Sequence, residues 1–502
     1  MRLSRTKFSN SNRNVPVGPI RVAIYGFLIL SLVTTGITEP VVSATDGGSE
    51  TTGPVTLENE HYQSIQRAID EAEPGDTITV EPGTYNEVLV IDKSVNIVAP
   101  KGATLDGSPL HDGSVGITLT TDSAFGSQIR GFVITGYETG VNASDTSESW
   151  ELRNVTISEN EATGIEAERT EGSWLITESR ITENGDDGID TENSTGAFSL
   201  TSNVIRDNSA DGFKAENTTG NWRIRSTNIS SNGDDGIDAD GTTSGDFELL
   251  NTTLFGNRNH GLDVTNTTGN WSIRRSVIAK NRVGVVAWGS HGDWLITSTE
   301  IRNQSDTGVL ARYATGNWRI TDTRIHSNRV TGVEATETTG DWILESVRIS
   351  GSYAGVVASR SAGDWRISRT EIDDIRDAPF TYPPSGTAVY AVDASGAWTI
   401  SSSNIMSVSK MGVNATGSIR TGSATGNWWS TDDLKSPRCS GNVDCGNSRS
   451  ESVAVDPETA GEDSFGTVFF ENRIALILGL GIVTLLLGST TAMYRIKSTR
   501  GH

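Results

Sequence analysis

Acidic, histidine and lysine side chains recur at fixed intervals in one part of this 502-residue sequence. The segment NGDDGID occurs at Asn184–Asp190 and again at Asn232–Asp238, and related segments are NSADGFK at Asn208–Lys214 and NRNHGLD at Asn257–Asp263. Aligning the four segments brings one set of side chains to the same position: Asp187, Asp211, Asp235 and His260. A second set lies three residues later: Asp190, Lys214, Asp238 and Asp263.

Side chains of these types could perform acid–base chemistry or bind a cation. If the segments lie on successive turns of a stacked structure, neighbouring carboxylates are about 5 Å apart and alternate ones about 10 Å apart. These separations bracket those of retaining and inverting glycosidases, and stacked carboxylates also suit Ca²⁺. NGDDG is equally good turn chemistry, which a repeat copies from turn to turn. Catalysis, a carbohydrate or cation contact, and a plain surface therefore remain open, and the plain surface is favoured over catalysis.

These segments belong to a tandem repeat. Its signature is a small residue, a polar residue, an aromatic, any residue and an aliphatic, as in GNWRI at Trp222 and GDWLI at Trp294. Successive aromatics from Trp150 to Trp365 lie 23 to 25 residues apart, and the pattern continues to Trp428. A period this regular predicts a solenoid, a propeller or another array.

Each unit carries aliphatic residues two, seven and about fifteen positions after the aromatic, with polar and Gly-rich sequence between them. This spacing predicts short strands rather than helices. A leucine-rich repeat would show LxxLxLxxN, and a propeller blade needs about 40 residues. We therefore expect an all-β fold: a right-handed, single-stranded parallel β-helix of about 13 coils, with three short strands per coil stacked about 4.8 Å apart.

Two columns of the repeat are interpreted as structural. The aromatic column alternates with inward aliphatic residues, which favours a place in the core over a sugar-binding platform. Asparagine recurs ten residues after the aromatic, where stacked amides can form an internal hydrogen-bonded ladder. Its members are Asn160, Asn184, Asn208, Asn232, Asn257, Asn281 and Asn328.

Residues 58–107 differ from the repeat and carry a family resemblance. YQSIQRAIDEA at Tyr62–Ala72 predicts a short amphipathic helix that plugs the end of the β-helix, and Pro74-Gly75-Asp76 ends it. The helix and the following DTITVEPGTY are similar to the start of pectin-lyase-like β-helix proteins. That resemblance implies the β-helix fold, which polysaccharide-active enzymes, NosD-like accessory proteins and many surface proteins share. Polygalacturonase motifs are absent in order, since no Arg-Ile-Lys follows His260 closely.

The composition excludes some classes of function. Sixty-three acidic against 40 basic residues give a net charge of −23, which argues against nucleic-acid binding. The acidic balance resembles that of proteins from halophilic archaea. The histidines fall in different columns, which argues against a copper centre. No motif requires a cofactor, and Ca²⁺ is the metal that the stacked carboxylates suit.

The chain ends predict export and anchoring. Residues 1–44 have the pattern of a signal peptide, 45–57 form a linker, 58–107 the N-terminal cap and 108–430 the coils. Residues 431–457 form the closing segment of the β-helix. They contain Cys439 and Cys445, which we expect to form a disulfide bond in an oxidising compartment. After a linker at 458–473, the uncharged stretch 474–494 predicts one transmembrane helix, and the basic tail 495–502 is expected on the cytoplasmic side.

Exterior placement agrees with the many Asn-X-Ser/Thr sequons, which mark candidate glycosylation sites. They are Asn142, Asn154, Asn193, Asn217, Asn228, Asn251, Asn266, Asn270, Asn303 and Asn414. We expect some of them, not all, to be modified, because a chain rich in Asn, Ser and Thr matches this pattern by composition alone.

Together these observations predict a membrane-anchored cell-surface protein, structural, adhesive or polysaccharide-binding. The first alternative is a membrane-tethered polysaccharide lyase or glycoside hydrolase that uses the stacked aspartates. A NosD-like accessory protein is a weaker alternative.

Overall fold

The computed structural model of the protein describes residues 53–120, 126–242, 244–378, 385–430, 438–455 and 457. These residues wind into a parallel β-helix in which each regular coil contributes three short strands, as predicted. Strands at the same position in successive coils pair in parallel and form three ladders. The first two ladders belong to one sheet because Asn96–Asp106 and Ser127–Thr135 each run continuously through both.

The aromatic ladder contains the strands that begin at the repeated aromatic, together with the equivalent strands at both ends. They are Thr77–Val80, Asn96–Asp106, Ser127–Thr135, Trp150–Arg153, Trp174–Thr177, Phe198–Thr201, Trp222–Arg225, Phe247–Leu250, Trp271–Arg274, Trp294–Thr297, Trp318–Thr321, Trp342–Glu345, Trp365–Ser368, Trp398–Ser401, Gly422–Ser423 and Val443–Asp444. The isoleucine ladder shares the two long strands and adds Thr84–Tyr85, Thr156–Ser158, Arg180–Thr182, Val204–Arg206, Asn228–Ser230, Thr253–Phe255, Val277–Ala279, Glu300–Arg302, Arg324–His326, Arg348–Ser350, Glu371–Asp373, Asn404–Ile405 and Trp428–Trp429.

The third ladder follows the repeated glycine and has 15 strands. They are Leu89–Ile91, Val115–Leu119, Thr139–Asn142, Ile165–Glu166, Ile189–Asp190, Phe213–Lys214, Ile237–Asp238, His260–Asp263, Val283–Val286, Val309–Leu310, Thr331–Glu334, Ala354–Val357, Thr387–Tyr390, Met411–Ala415 and Cys439–Gly441. The ladder is longer than the expected number of coils because its first and last strands come from segments that the sequence assigned to the cap and the closing segment.

The aromatic column lies in the core, as the alternation predicted. Each of its rings stacks on the ring of the next coil, with centroids 4.0 Å apart for Trp222 and Phe247 and 6.0 Å apart for Phe247 and Trp271. The side chains are almost fully buried, for example Trp174 at 3% exposure. Near-parallel rings in register are the direct result of an aromatic that recurs once per coil.

The packing of the coils also explains why a small residue and a polar residue precede the aromatic in the repeat. A Cβ on Gly220 would lie 1.9 Å from the carbonyl oxygen of Gly196, so the close approach of neighbouring coils requires glycine there. Next to it, the Asn221 side chain accepts a hydrogen bond from the Asp246 amide at 2.8 Å, and Asp246 accepts one from the Asn270 amide at 3.0 Å. The repeated motif thus combines a close backbone contact, a surface ladder and a core ring.

The internal asparagine ladder is present. The Asn184 side chain donates to the Asn208 oxygen at 2.9 Å, and Asn208 donates to Asn232 at 3.1 Å. Where the sequence lacks asparagine, Gln304 takes the position and accepts a hydrogen bond from the Asn281 amide at 2.8 Å. A second internal ladder of hydroxyl groups, which includes the contact of Thr170 with Ser194 at 2.9 Å, was not predicted.

The N-terminal end is closed by the expected helix and by a hairpin that the sequence did not predict. The helix spans Ile65–Glu71 and begins later than expected, because Ser64 caps it and Tyr62 belongs to a strand. That strand, Glu60–Tyr62, pairs antiparallel with Val55–Leu57, which in turn pairs with Thr77–Val80. The residues expected to end the linker therefore cover the edge of the aromatic ladder.

At the C-terminal end the alignment of Trp428 with the aromatic column was wrong. Gly422 occupies that column, and a Cβ there would lie 1.8 Å from the Trp398 ring, so glycine ends the aromatic stack. Trp428 instead pairs with Asn404 in the isoleucine ladder. Cys439 and Cys445 are joined by a disulfide bond.

Several predictions fall outside the described residues: the signal peptide at 1–44, most of the linker at 45–57, the linker at 458–473, the transmembrane helix at 474–494 and the tail at 495–502. Among the described residues, no helix has the length and hydropathy needed to cross a membrane. Part of the long insertion at 374–386, in the coil after Trp365, also lies outside them. Ile375 in that stretch stays in the stack, where it is buried and bridges to Val408.

Candidate functional site

The acidic and basic side chains singled out by the sequence do form columns on the third ladder. Asp190 pairs with Lys214, Lys214 with Asp238, and Asp238 with Asp263 in the parallel register of this ladder. Asp187, Asp211, Asp235 and His260 each precede the repeated glycine of the third ladder, and His260 is itself the first residue of its strand. We call these eight residues the acid column.

The turn aspartates of the acid column hold neighbouring coils together. Asp187 accepts a hydrogen bond from the Asp211 amide at 2.7 Å, and Asp211 accepts one from the Asp235 amide at 2.7 Å. Asp235 accepts one from the His260 amide at 2.6 Å. All three carboxylates are at least nine-tenths buried. One oxygen of each is therefore committed to the backbone of the next coil.

The strand aspartates of the column stabilise the turn that follows them. Asp190 accepts a hydrogen bond from the Glu192 amide at 2.9 Å, and Asp238 accepts one from the Asp240 amide at 3.0 Å. Lys214 lies between them in the ladder, with its ammonium 3.2 Å from Glu192 and 3.9 Å from Asp190. These contacts support the structural interpretation of the column.

Burial changes the acidity of the column. It raises the pKa of the Asp187 carboxyl to about 7 and, with the help of the Asp187 charge, that of Asp211 to about 8. Burial together with the charges of Asp235 and Asp263 raises the pKa of Asp238 to about 8. Carboxyl groups of this kind exchange protons near neutral pH, which is what general acid–base chemistry needs.

Histidine ends the column. Burial alone would lower the pKa of His260, but the two neighbouring carboxylates of Asp235 and Asp263 outweigh this and raise it to about 9. The ring nitrogen Nδ1 lies 3.3 Å from an oxygen of Asp235 and 3.2 Å from one of Asp263.

A groove on the outer face of the aromatic ladder is a second candidate, which the sequence did not indicate. It has a volume of about 730 Å³ and is lined in part by Ser199, Asn221, Arg223, Arg225 and Glu248. A smaller groove of about 360 Å³ shares the lining residue Asp246 and continues toward the next coils. The residue types at outward positions differ from coil to coil, so the repeat pattern did not predict this groove.

Arginines surround one glutamate in this groove. The Glu248 carboxylate lies 3.1 Å from Arg225, 3.6 Å from Arg274 and 3.9 Å from Arg223. The Nε atom of Arg225 is buried and makes no hydrogen bond within the described part of the chain. We call Arg223, Arg225, Arg274 and Glu248 the arginine cluster.

One aromatic pair lies on the surface rather than in the core. Trp288 and Tyr313 are 39% and 42% exposed, and their ring centroids are 5.3 Å apart. Trp288 lies between two aromatics of the column and does not occupy the repeated aromatic position. This irregular spacing was the signal in the sequence that could have identified an exposed tryptophan.

Most sequon asparagines lie on the surface. The exposed ones are Asn154, Asn193, Asn217, Asn251, Asn266, Asn270 and Asn303, whereas Asn142, Asn228 and Asn414 are half-buried. Asn193, Asn217 and Asn266 share one turn position and have positive φ angles between 53° and 60°. Asparagine is favoured in this left-handed conformation, which gives these residues a structural reason besides glycosylation.

The chain is similar to several solved structures at low sequence identity. An Azotobacter vinelandii mannuronan C-5 epimerase A-module is 18% identical over 77% of this chain and 94% of its own, with a TM-score of 0.35. A pectate lyase is 13% identical over 64% of this chain and 76% of its own, with a TM-score of 0.32. The catalytic domain of a GH87 α-1,3-glucanase is 13% identical over 58% of this chain and 64% of its own, with a TM-score of 0.42. No curated protein matches the sequence.

A family model for the right-handed β-helix region matches residues 139–293 and 260–427. These two matches together span more than half of the chain, and they coincide with the coils whose ladders are described above. The chain therefore belongs to the right-handed parallel β-helix family.

Proposed function

We propose that this chain binds acidic polysaccharide along the outer face of its aromatic ladder, at the cell surface. The arginine cluster is the observation that carries the proposal. Three guanidinium groups face the single carboxylate of Glu248, and the acidic residue Asp246 lines the same groove. Within the arginine cluster three guanidinium groups face one carboxylate, which is an excess of positive charge on a chain whose net charge is −23.

The charge contrast favours one ligand class. An anionic polymer is repelled by most of a surface with this net charge, so a local group of arginines determines where the polymer can dock. The planar guanidinium group matches a carboxylate with two parallel hydrogen bonds.

The shape of the groove also suits a polymer. The two adjoining grooves share Asp246 and Phe247 and extend over several coils, from Ser173 to Leu295. Successive coils advance by about 4.8 Å, which is close to the length of one pyranose residue. Hydroxyl and amide groups at Ser199, Thr201 and Asn221 can bond sugar hydroxyls between the charged contacts.

Placement at the cell surface is the second half of the proposal and rests on the sequence of both chain ends. The predicted signal at 1–44 would export the chain and the predicted helix at 474–494 would retain it in the membrane. Protease treatment of intact cells tests this arrangement: loss of the β-helix from the cells supports it, and full protection contradicts it.

Calorimetric titration of the full-length chain with oligogalacturonate tests the binding site. Arg223→Gln and Arg225→Gln should each weaken binding severalfold, and the wild-type affinity should fall with rising salt. Arg366→Gln is the matched control, because Arg366 is exposed at the position of Arg223 in a distant coil. Equal losses in Arg223→Gln and Arg366→Gln would reject the groove as the binding site.

A second candidate function is cleavage of polysaccharide by the acid column. The raised pKa values of Asp187, Asp211 and Asp238 favour it, because such carboxyls can donate a proton near neutral pH. Incubation of the purified chain with acidic polysaccharides, followed by measurement of new reducing or unsaturated ends, tests this candidate. Product that disappears in both Asp187→Asn and Asp238→Asn would establish it.

A further inference from the structure

The histidine end of the acid column brings one imidazole nitrogen and two carboxylate oxygens together. The Nδ1 atom of His260 lies 3.3 Å from Oδ1 of Asp235 and 3.2 Å from Oδ2 of Asp263. One ligand atom from each of these three residues lies within 4.8 Å of the other two. The other turn positions of the column carry aspartate, so this combination of ligand types occurs only at His260 within the column.

The imidazole nitrogen is buried and makes no hydrogen bond of normal geometry within the described residues, although two carboxylate oxygens are close to it. An imidazole N–H beside a carboxylate usually points at one of its oxygens and donates a hydrogen bond to it. Here the nitrogen lies 3.3 Å from an oxygen of Asp235 and 3.2 Å from an oxygen of Asp263. Such an arrangement is expected when a third atom completes the contact.

Hydrogen bonds hold both carboxylates in this orientation. The Oδ1 atom of Asp263 accepts hydrogen bonds from the amide and the hydroxyl of Thr265, at 2.9 Å and 2.6 Å, which leaves Oδ2 toward His260. The Oδ1 atom of Asp235 accepts the His260 amide at 2.6 Å. Ligand carboxylates in metal sites are oriented by outer hydrogen bonds of this kind.

The surroundings also favour a cation. In the next coil the residues that pair with His260 and Asp263 are Val283 and Val286, both at least 95% buried, so one side of the cluster is apolar. The lysine of the column, Lys214, is close to Asp190 and Glu192 instead. Two carboxylates beside an apolar wall interact strongly with a divalent charge.

We propose that Asp235, His260 and Asp263 bind a transition-metal dication of the Zn²⁺ type. In a tetrahedral site with Zn–N and Zn–O bonds of about 2.0–2.1 Å, adjacent ligand atoms are about 3.3–3.4 Å apart, which agrees with both measured contacts. Imidazole is a ligand for Zn²⁺ and its neighbours, whereas Ca²⁺ takes six to eight oxygen ligands. The geometry therefore points away from the Ca²⁺ considered from sequence.

Three protein ligands leave one position of a tetrahedral site to another molecule. His260 and Asp263 are partly exposed, with 15% and 17% of their side-chain surface accessible, so the cluster borders solvent. It would hold water or an oxygen of a bound ligand, as in zinc sites that keep an open position. The site is separate from the arginine cluster, so its presence does not depend on polysaccharide binding there.

Titration of the metal-free full-length chain with Co²⁺ tests the proposal, because tetrahedral Co²⁺ gives visible absorption bands. We expect one equivalent to bind and to be displaced by Zn²⁺ but not by a similar concentration of Ca²⁺. His260→Thr and Asp263→Asn should each weaken binding at least about tenfold. Both replacements occur naturally in this chain, since Thr307 and Asn142 occupy the same two column positions.

Asp187→Asn is the matched control, because it removes an acid from the same column away from the histidine. Thermal unfolding without metal shows whether each variant folds. Retention of wild-type Co²⁺ binding in both His260→Thr and Asp263→Asn would overturn the proposal. So would an equal loss in Asp187→Asn, which indicates diffuse attraction to acidic surface, or displacement of Co²⁺ by equimolar Ca²⁺.

Discussion

The ring of Trp222 stacks on the ring of Phe247 in the next coil, with the centroids 4.0 Å apart and the planes inclined by 2°. Both side chains are at least 96% buried, and each stacks again on the neighbour at its other face. The stack joins successive coils through a single column, so its members contribute to the stability of more than one coil.

Trp222→Ala should lower the free energy of unfolding by about 3–5 kcal/mol, because it removes a buried ring and leaves a cavity. Trp222→Phe should cost clearly less, since phenylalanine already occupies this column at Phe198 and Phe247. Urea unfolding followed by circular dichroism compares the two variants. Equal stability of Trp222→Ala and wild type would contradict a structural role for the stack.

The asparagine ladder should be sensitive to loss of one amide. Asn208→Ala removes the bonds with Asn184 and Asn232 and leaves buried polar groups without a partner, at a cost of about 1–3 kcal/mol for each such group. Asn208→Gln should be milder, because Gln304 serves in the same ladder. The midpoints of urea unfolding measure both effects, and an alanine variant no less stable than the glutamine variant would argue against the ladder.

Stability should fall as the pH rises from 5 to 8 because of Asp187. Its pKa is raised from 3.8 to about 7 in the folded chain, so the folded state holds the proton more tightly than the unfolded state. The stabilisation is complete below the unfolded pKa and is lost as the pH rises through the folded pKa. Asp187→Asn, which keeps an acceptor for the Asp211 amide, should reduce the difference in Tm between pH 5 and pH 8.

Asp186→Asn provides the control for this pH effect, because the exposed Asp186 carries the same formal charge next to Asp187. If both variants change the pH dependence of Tm equally, the effect comes from net charge and not from burial of Asp187.

Glycosylation should follow exposure. Glycopeptide mass spectrometry on protein from its native cells should find glycans among the exposed sequons, including Asn193, Asn217 and Asn266, and none at the half-buried Asn228. The Asn228 side-chain oxygen is buried, which limits access of a transferase. A modified Asn228 beside unmodified exposed sequons would show that exposure does not control the modification.

The repeated columns could be predicted from the sequence because each coil stacks on the next. An aromatic at Trp222 and again at Phe247, or an asparagine at Asn208 and Asn232, must meet its counterpart once the fold is a β-helix. The same argument placed Asp190, Lys214, Asp238 and Asp263 in one column. Residues that are one repeat apart in the sequence occupy the same position in neighbouring coils and therefore contact each other.

Features that do not repeat could not be predicted in this way. Arg223 and Arg274 lie on outward positions that differ from coil to coil, so only the structure shows that both face Glu248. The hairpin at Val55–Leu57 depends on pairing with the edge strand Thr77–Val80 and has no column of its own. The Trp428 alignment was wrong because two adjacent tryptophans matched the motif while Gly422 held the aromatic position.

A structure of the chain with a bound oligouronate tests the account most directly. We expect sugar density over the strands Phe198–Thr201, Trp222–Arg225 and Phe247–Leu250, with a carboxylate of the ligand against Arg225. Density over the acid column beside Asp187 and Asp211 instead would contradict the proposed binding face and favour the catalytic alternative.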